Sequence, residues 1–180
     1  SLLWGGMTYL GAFATTRYGL DQFTVGLLIA LFGLGMVTGG LLMGQLRRRF
    51  SENELAVTGG AMMGGAFLAF IPHWPVPVFA ACMFIMGLGF LGLHSTLQVR
   101  GTEISTTARG KAFSLFSFNL FGGIAVGSAV FGWLVDAGRY DVMFAIAGAG
   151  LAGVGIVTAL APQGLATRQP QGRGDACIIQ

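Results

Sequence analysis

Long apolar segments and short polar connectors alternate along the whole chain. A helix that crosses the ~30 Å hydrocarbon core of a bilayer needs about 20 mostly apolar residues, and six segments approach that length without containing Asp, Glu, Lys or Arg. The pattern predicts an all-α membrane protein in which residues 1–161 form a bundle of six transmembrane helices. The predicted spans are 1–16, 24–43, 55–71, 76–99, 112–135 and 142–161.

The basic residues predict how these helices are oriented. Short connectors make neighbouring helices antiparallel, so odd- and even-numbered connectors lie on opposite sides of the bilayer. Of the ten Lys and Arg residues, only Arg17 and Arg139 lie in odd-numbered connectors. The positive-inside rule therefore places the other basic residues, and with them the C-terminus, in the cytoplasm. The Gly-, Gln- and Pro-rich segment 162–180 is expected to be a disordered cytoplasmic tail.

Glycine is abundant within the predicted helices, with 31 residues in the chain. Small residues four apart let helix backbones approach closely in a membrane. We interpret these pairs as packing positions within one bundle rather than as a dimerisation face. The pairs are Gly35 with Gly39, Gly40 with Gly44, Gly60 with Gly64, and Gly123 with Gly127.

Composition excludes several classes of protein. Only 9% of the residues are charged, against roughly 25% in a soluble domain. The net charge of +3 comes from scattered residues, whereas a nucleic-acid-binding protein concentrates basic residues in a patch or stripe. Cys82 and Cys177 form neither a disulfide framework nor a metal-ligand spacing. No nucleic acid, metal or cofactor is therefore expected.

The polar segment 44–50, between the second and third predicted helices, reads Gly-Gln-Leu-Arg-Arg-Arg-Phe. It resembles a degenerate form of the glycine, leucine, aspartate and arginine loop motif of the major facilitator superfamily. Gly44, Arg47, Arg48 and Arg49 are its candidate motif residues. Arg48 stands at the family's aspartate position, so the resemblance does not extend to the charge relay built on that acid.

A second polar passage, 97–114, resembles the family's loop between spans ten and eleven. Glu103 is followed there by Arg109 and Gly110, which open the next predicted helix. Together with the His-Ser-Thr-Leu-Gln run at 94–98, the passage is similar to the bacterial drug and sugar efflux branch of proton antiporters. The cytoplasmic arginines have two roles open to them: they set topology, or they pair with Glu103 or with acids of another half to lock a gate.

The resemblance implies a fold of two six-helix halves, each built from two inverted three-helix repeats, with this chain as the second half. Ser1 opens directly on an apolar stretch without a basic region, so we expect no signal peptide and a longer protein upstream. The expected function is proton-coupled efflux of small molecules by alternating access in a bacterial inner membrane. The expected partners are the substrate, the lipid bilayer and the N-terminal half.

Candidate substrate-binding residues follow from the helices that line the cavity in this family, which here are the first, second, fourth and fifth. His94 is the only ionisable side chain in a predicted span apart from Cys and Tyr, and such residues tend to face a cavity or a partner. It shares a helix face with Phe90. The remaining candidates are Asn119, Tyr9, Phe13 and Phe32. Each has a second interpretation: helix bridging for His94 and Asn119, and contact with core or lipid for the aromatic residues.

Two other functions compete with transport. An intramembrane protease of the rhomboid type also has about six helices, but it needs a serine nucleophile and a distant histidine, whereas His94 and Ser95 are adjacent. We therefore do not expect an enzyme. A six-helix homodimer, or a fragment without its own activity, is the second alternative.

Overall fold

The structure, a computed structural model, describes residues 2–72, 74–103 and 109–160. Within them the chain forms six α-helices and no strand, which confirms the predicted helical class. Each helix covers most of one predicted apolar segment. The helices are α1 (Leu2–Tyr18), α2 (Gln22–Arg49), α3 (Glu52–Ala69), α4 (Val76–Glu103), α5 (Arg109–Asp136) and α6 (Tyr140–Leu160). The predicted tail, 162–180, lies outside the described residues.

Four of the described helices, α2, α4, α5 and α6, are long and apolar enough to cross a membrane. The other two are shorter. α1 has 17 residues, and α3 has 18 residues with Glu52 and Glu54 in its first turn. Their crossing of the bilayer stays a prediction.

The helices extend further into the connectors than the hydropathy pattern predicts. The expected connector 44–54 is reduced to Phe50 and Ser51, because α2 stays helical through Arg49. Arginine is a good helix former, and cations in a last turn interact favourably with the helix dipole. α4 similarly continues to Glu103. The first polar residues after an apolar segment therefore do not mark the end of the helix, which continues beyond that segment.

Side-chain caps start two of the helices. Asp21 accepts a hydrogen bond from the Phe23 amide at the start of α2, and the Thr24 hydroxyl bond to its carboxylate holds the pKa of Asp21 below its ordinary value. Ser51 and Glu54 form a capping box at the start of α3. The backbone amide and the hydroxyl of Ser51 donate hydrogen bonds to the Glu54 carboxylate. These bonds lower the pKa of Glu54, as the Thr24 bond does for Asp21. Such caps satisfy amides that have no partner within the helix.

α3 and α6 pack against each other through glycines. A Cβ atom on Gly60 would lie 2.9 Å from the Cα of Gly155, and one on Gly64 would lie 2.6 Å from the carbonyl oxygen of Gly148. The partner number falls as the α3 number rises, so the two helices are antiparallel. The packing role predicted for Gly60 and Gly64 agrees with these contacts.

α3 also separates α4 from α6. Gly59 faces α4, where its Cβ position lies 2.5 Å from the Gly89 carbonyl oxygen, while the adjacent Gly60 faces α6. Further towards the start of α3, Leu55 meets Gly92, so α3 and α4 are antiparallel. α4 and α6 therefore pack along two sides of one helix.

The remaining close pairs are parallel. Gly5 of α1 meets Gly127 of α5, and Tyr9, one turn later, meets Gly132. α2 pairs with α4 in the same sense. All described contacts thus fit a bundle whose successive helices alternate in direction.

One end of the bundle has an aromatic core where α1 and α3 end and α4 and α6 begin. Phe13 and Phe144 meet edge to face with ring centroids 4.7 Å apart, and Phe70 and Phe79 lie 4.6 Å apart. Such ring pairs contribute about 0.5–1.5 kcal/mol beyond the area that they bury. We call this group, completed by Phe67, the aromatic core.

Candidate functional site

Aromatic rings from four helices meet around Phe90 of α4. The His94 imidazole stacks on Phe90 with centroids 4.7 Å apart and planes 13° apart, as expected for residues one turn apart on a helix. Phe32 of α2 lies 6.0 Å from Phe90, and Trp4 of α1 meets it edge-on at 6.2 Å. Phe116 of α5 lies 6.3 Å from His94. The four helices expected to line a cavity therefore each place a ring at this point.

A cavity of about 150 Å³ opens beside this cluster, and we call it the His94 cavity. Its wall is apolar except for the His94 imidazole and the Trp4 indole. A cavity of this volume accommodates a single aromatic ring, and benzene fills a comparable one in another protein. It is lined by Leu2, Leu3, Trp4, Met63, Phe90, Leu93, His94, Leu97, Leu120, Leu151 and Val154.

His94 supplies the polar chemistry of this wall. Its side chain is half-buried, with one ring face against Phe90. A neutral imidazole carries one hydrogen-bond donor and one acceptor, and both ring nitrogens become donors when it is protonated. The arrangement can hold a flat apolar group against the rings and direct one polar atom of it towards His94.

Phe90, which was predicted from sequence, is buried and stacks on His94. Phe32, also predicted, is buried and contacts Phe90, but it does not line the His94 cavity. Phe13 lies elsewhere in the bundle. It is 2% exposed and lies inside the aromatic core, 4.7 Å from Phe144. In this structure its ring supports the packing of α1 rather than the wall of the His94 cavity.

Tyr9 also lies apart from the His94 cavity. Its hydroxyl donates a hydrogen bond of 2.8 Å to the Ser128 carbonyl oxygen, which joins α1 to α5. Gly132 leaves room for this hydroxyl, because a Cβ atom there would lie 2.5 Å from the Tyr9 oxygen. The phenol is thus engaged in helix packing.

Asn119 is exposed on α5, and its amide donates to the Leu115 carbonyl oxygen of its own helix at 2.8 Å. Its neighbour Leu120 lines the His94 cavity, whereas Asn119 does not. It lies beside Phe118, which is 75% exposed. Asn119 therefore belongs to an outer face of the bundle.

The predicted cytoplasmic motif residues are not part of the His94 cavity. Arg47, Arg48 and Arg49 are exposed in the last turn of α2, and Gly44 is exposed one turn earlier. Gly110 is exposed at the start of α5. The side chains of Glu103 and Arg109 lie outside the described part of the chain, so their predicted pairing stays a prediction.

Three residues at or near the cavity were missed from the sequence. Trp4 and Phe116 are aromatic residues on apolar helices, and residue type alone does not distinguish them from aromatic residues that face lipid or core. Arg100 was considered only as one of the arginines that set topology or pair with an acid. Its guanidinium donates hydrogen bonds to the Thr158 carbonyl oxygen of α6 and to the Asn53 side-chain oxygen of α3. These partners are more than 40 residues away in sequence.

Comparisons with known proteins agree with one another. The sequence profile of the Major Facilitator Superfamily matches residues 2–175. The chain is also similar to an uncharacterized MFS-type transporter, YceJ, of Bacillus subtilis (strain 168), with 22% identity over 134 residues. That match covers 74% of this chain and 34% of the relative, so the chain spans about a third of the length of the curated relative that it matches. No solved structure matches the chain.

Proposed function

Because the chain belongs to the major facilitator superfamily, we propose that it forms the C-terminal six-helix half of a secondary active transporter that exports small molecules by alternating access. Its apolar helices and its family support a multi-pass integral membrane protein that takes part in transport. The proposal adds the identity of the half, the direction of transport and the site.

The helix contacts support two inverted three-helix repeats. In two such repeats, α1, α2 and α3 correspond in order to α4, α5 and α6. The α2–α4 contact then corresponds to the α5–α1 contact, and the α3–α4 contact corresponds to the α6–α1 contact. The α3–α6 contact maps onto itself. All of these pairs touch, and their directions also agree. Inverted repeats of this kind are a feature of the family's halves.

The basic residues support a cytoplasmic location for the end of α2 and for the C-terminus. Arg47, Arg48 and Arg49 are exposed together at the end of α2, where they can meet water and lipid headgroups. The positive-inside rule favours the cytoplasm for such a cluster. The relative from Bacillus subtilis supports the cytoplasmic membrane of a bacterium as the location.

The N-terminal half of the same protein is the proposed partner of two exposed helix faces. Phe23 and Leu41 of α2 are 80% and 79% exposed, and Phe118 and Phe121 of α5 are 75% and 67% exposed. A second bundle placed against α2 and α5 would cover these side chains and would bring Asn119 to the boundary between the halves.

The observation that carries the site is the meeting of rings from α1, α2, α4 and α5 around the stacked pair of Phe90 and His94. We propose that the substrate, a drug or a sugar, contacts the rings beside His94 during transport. The predicted spans of this chain contain no Asp or Glu. Coupling to protons therefore uses His94, or an acid in the other half, or both.

A vesicle experiment tests transport and coupling together. Full-length protein in inside-out vesicles with an acidic lumen is expected to accumulate a member of a panel that contains ethidium and a radiolabelled hexose, and a protonophore is expected to abolish the accumulation. His94→Ala should lower the uptake rate about tenfold, since a hydrogen bond to a charged or polar group contributes roughly 1–2 kcal/mol.

The control is Ile156→Ala, which truncates an exposed residue of α6 that does not line the cavity. Its uptake should equal that of the wild type. Accumulation that ignores the pH gradient would reject proton coupling. Equal uptake by His94→Ala and the wild type would reject the assigned site.

A further inference from the structure

Arg100 joins the ends of three helices. It lies in the last turn of α4 and is half-buried. One guanidinium nitrogen donates to the carbonyl oxygen of Thr158 in α6, and another donates to the side-chain oxygen of Asn53 in the first turn of α3. Both acceptors are neutral oxygens.

The Thr158 carbonyl is a suitable acceptor for a cation. It lies among the last four residues of α6, whose carbonyls have no amide partner within the helix. The helix dipole also makes this end of α6 partly negative. Two separate nitrogens of the planar guanidinium can reach two acceptors at once, whereas a lysine ammonium is a single point charge on a flexible stem.

The contact bridges two helices that otherwise pack on a third. Because α3 lies between α4 and α6, its glycines set their spacing along most of their length. At the start of α3, the contact with α4 is made by Asn53, which accepts a hydrogen bond from Arg100, instead of by a glycine. The same Arg100 side chain also reaches α6 and donates to Thr158.

The bridge lies next to the His94 cavity. Leu97, which lines the cavity from α4, precedes Arg100 by three residues, and Val154, which lines it from α6, precedes Thr158 by four. At 1.5 Å of rise per residue, these distances are about one helical turn. A change in the α4–α6 separation at the bridge will therefore change the width of the cavity at that end.

We propose that Arg100 is a positioning residue that holds α4 and α6 at a fixed separation at the C-terminal end of α4, and so limits how far that end of the His94 cavity opens. Its effect on transport rests on the function proposed above, but its effect on the cavity does not. The bridge consists of hydrogen bonds to neutral oxygens, which can break and re-form as the helix ends move.

Thiol labelling of the full-length protein tests the closure directly. In a background with Cys82→Ala and Cys177→Ser, Leu97→Cys places a thiol on the cavity wall, and its rate of reaction with a maleimide reports opening. Arg100→Ala should raise this rate about tenfold or more, because a lost hydrogen bond to a charged group shifts an equilibrium by at least about one decade. Arg100→Lys should give an intermediate rate, and Asn53→Ala a smaller rise.

Arg139→Ala is the matched control, since it removes the same charge from an exposed connector between α5 and α6, at the other end of the bundle. Its labelling rate should equal that of the parent. Equal rates for Arg100→Ala and Arg139→Ala would overturn the proposal. Where Arg100→Ala does not fold, unchanged rates for both Arg100→Lys and Asn53→Ala would overturn it as well.

A transport readout separates positioning from general stability. With a transported compound from the panel above, Arg100→Lys should raise KM several-fold while Vmax is kept, and Arg139→Ala should change neither. A parent protein that transports nothing would reject the proposed function but would leave the labelling result valid. A fall in Vmax for Arg100→Lys with KM unchanged would contradict positioning of the cavity.

Discussion

Gly59→Ala should destabilise the bundle because α3 and α4 have no space for a Cβ atom there. Such an atom would lie 2.5 Å from the Gly89 carbonyl oxygen and 2.7 Å from the Leu93 amide nitrogen. Both neighbours are backbone atoms of α4, so a side-chain rotation cannot relieve the contact. Reaching an ordinary separation of 3.4 Å requires the two helices to move apart by about 0.9 Å at this point.

The expected cost is that of overpacking, about 1–3 kcal/mol. A gap of 0.5–1 Å between packed surfaces also forfeits a quarter to a half of their dispersion attraction. Alanine is the better helix former by about 1 kcal/mol in water, which offsets part of the loss. The gain in helix propensity must be subtracted from the measured change in stability before the packing cost can be known.

Gly65→Ala is the control that removes it. Gly65 lies on the same helix, is exposed, and has nothing within 4 Å of its Cβ position. Both variants gain the same helix propensity, so the difference between their free energies of unfolding isolates the contact with α4. Denaturant unfolding of the full-length protein in detergent micelles should place Gly59→Ala about 1–3 kcal/mol below Gly65→Ala. Equal stability of the two would refute the close approach of α3 and α4.

Two other changes are predicted with the same unfolding assay. Tyr9→Phe removes the hydrogen bond to the Ser128 carbonyl and should lower the free energy of unfolding by about 0.5–1.5 kcal/mol; a value equal to that of the wild type would show that the α1–α5 bond does not contribute. The hydrogen bonds from Ser51 lower the pKa of the Glu54 carboxyl from its ordinary value of 4.5. The charged cap therefore stabilises the protein fully above pH 4.5. This stabilisation is lost as the pH falls from 4.5 through the lowered pKa of the folded protein. Glu54→Gln should therefore flatten the acid side of the stability profile, and a profile parallel to that of the wild type would contradict the cap.

The hydropathy pattern located the helices but not the faces on which they pack. In a soluble protein, polar residues mark the outer face of a helix. Here the outer faces are apolar as well, as Phe23 and Leu41 of α2 illustrate. Phe13 and Phe32 therefore looked equivalent in the sequence, although one belongs to the aromatic core and the other lies beside Phe90.

His94 was predictable because a titratable residue is rare in an apolar helix. The contacts of Arg100 were not, because arginines at helix ends of membrane proteins usually need no further explanation than topology. Its acceptors, Asn53 and Thr158, become neighbours only when α3, α4 and α6 are packed. Contacts of this kind depend on tertiary structure and leave no local pattern in the chain.

The two ends of the bundle should respond differently to hydrostatic pressure. Pressure favours states of smaller volume, and the partly open His94 cavity leaves about 150 Å³ between its helices. The aromatic core, with Phe13, Phe67 and Phe144 at most 2% exposed, is filled by interlocked rings. Compression is therefore expected to act first at His94, drawing α4 and α6 together while the opposite end keeps its dimensions.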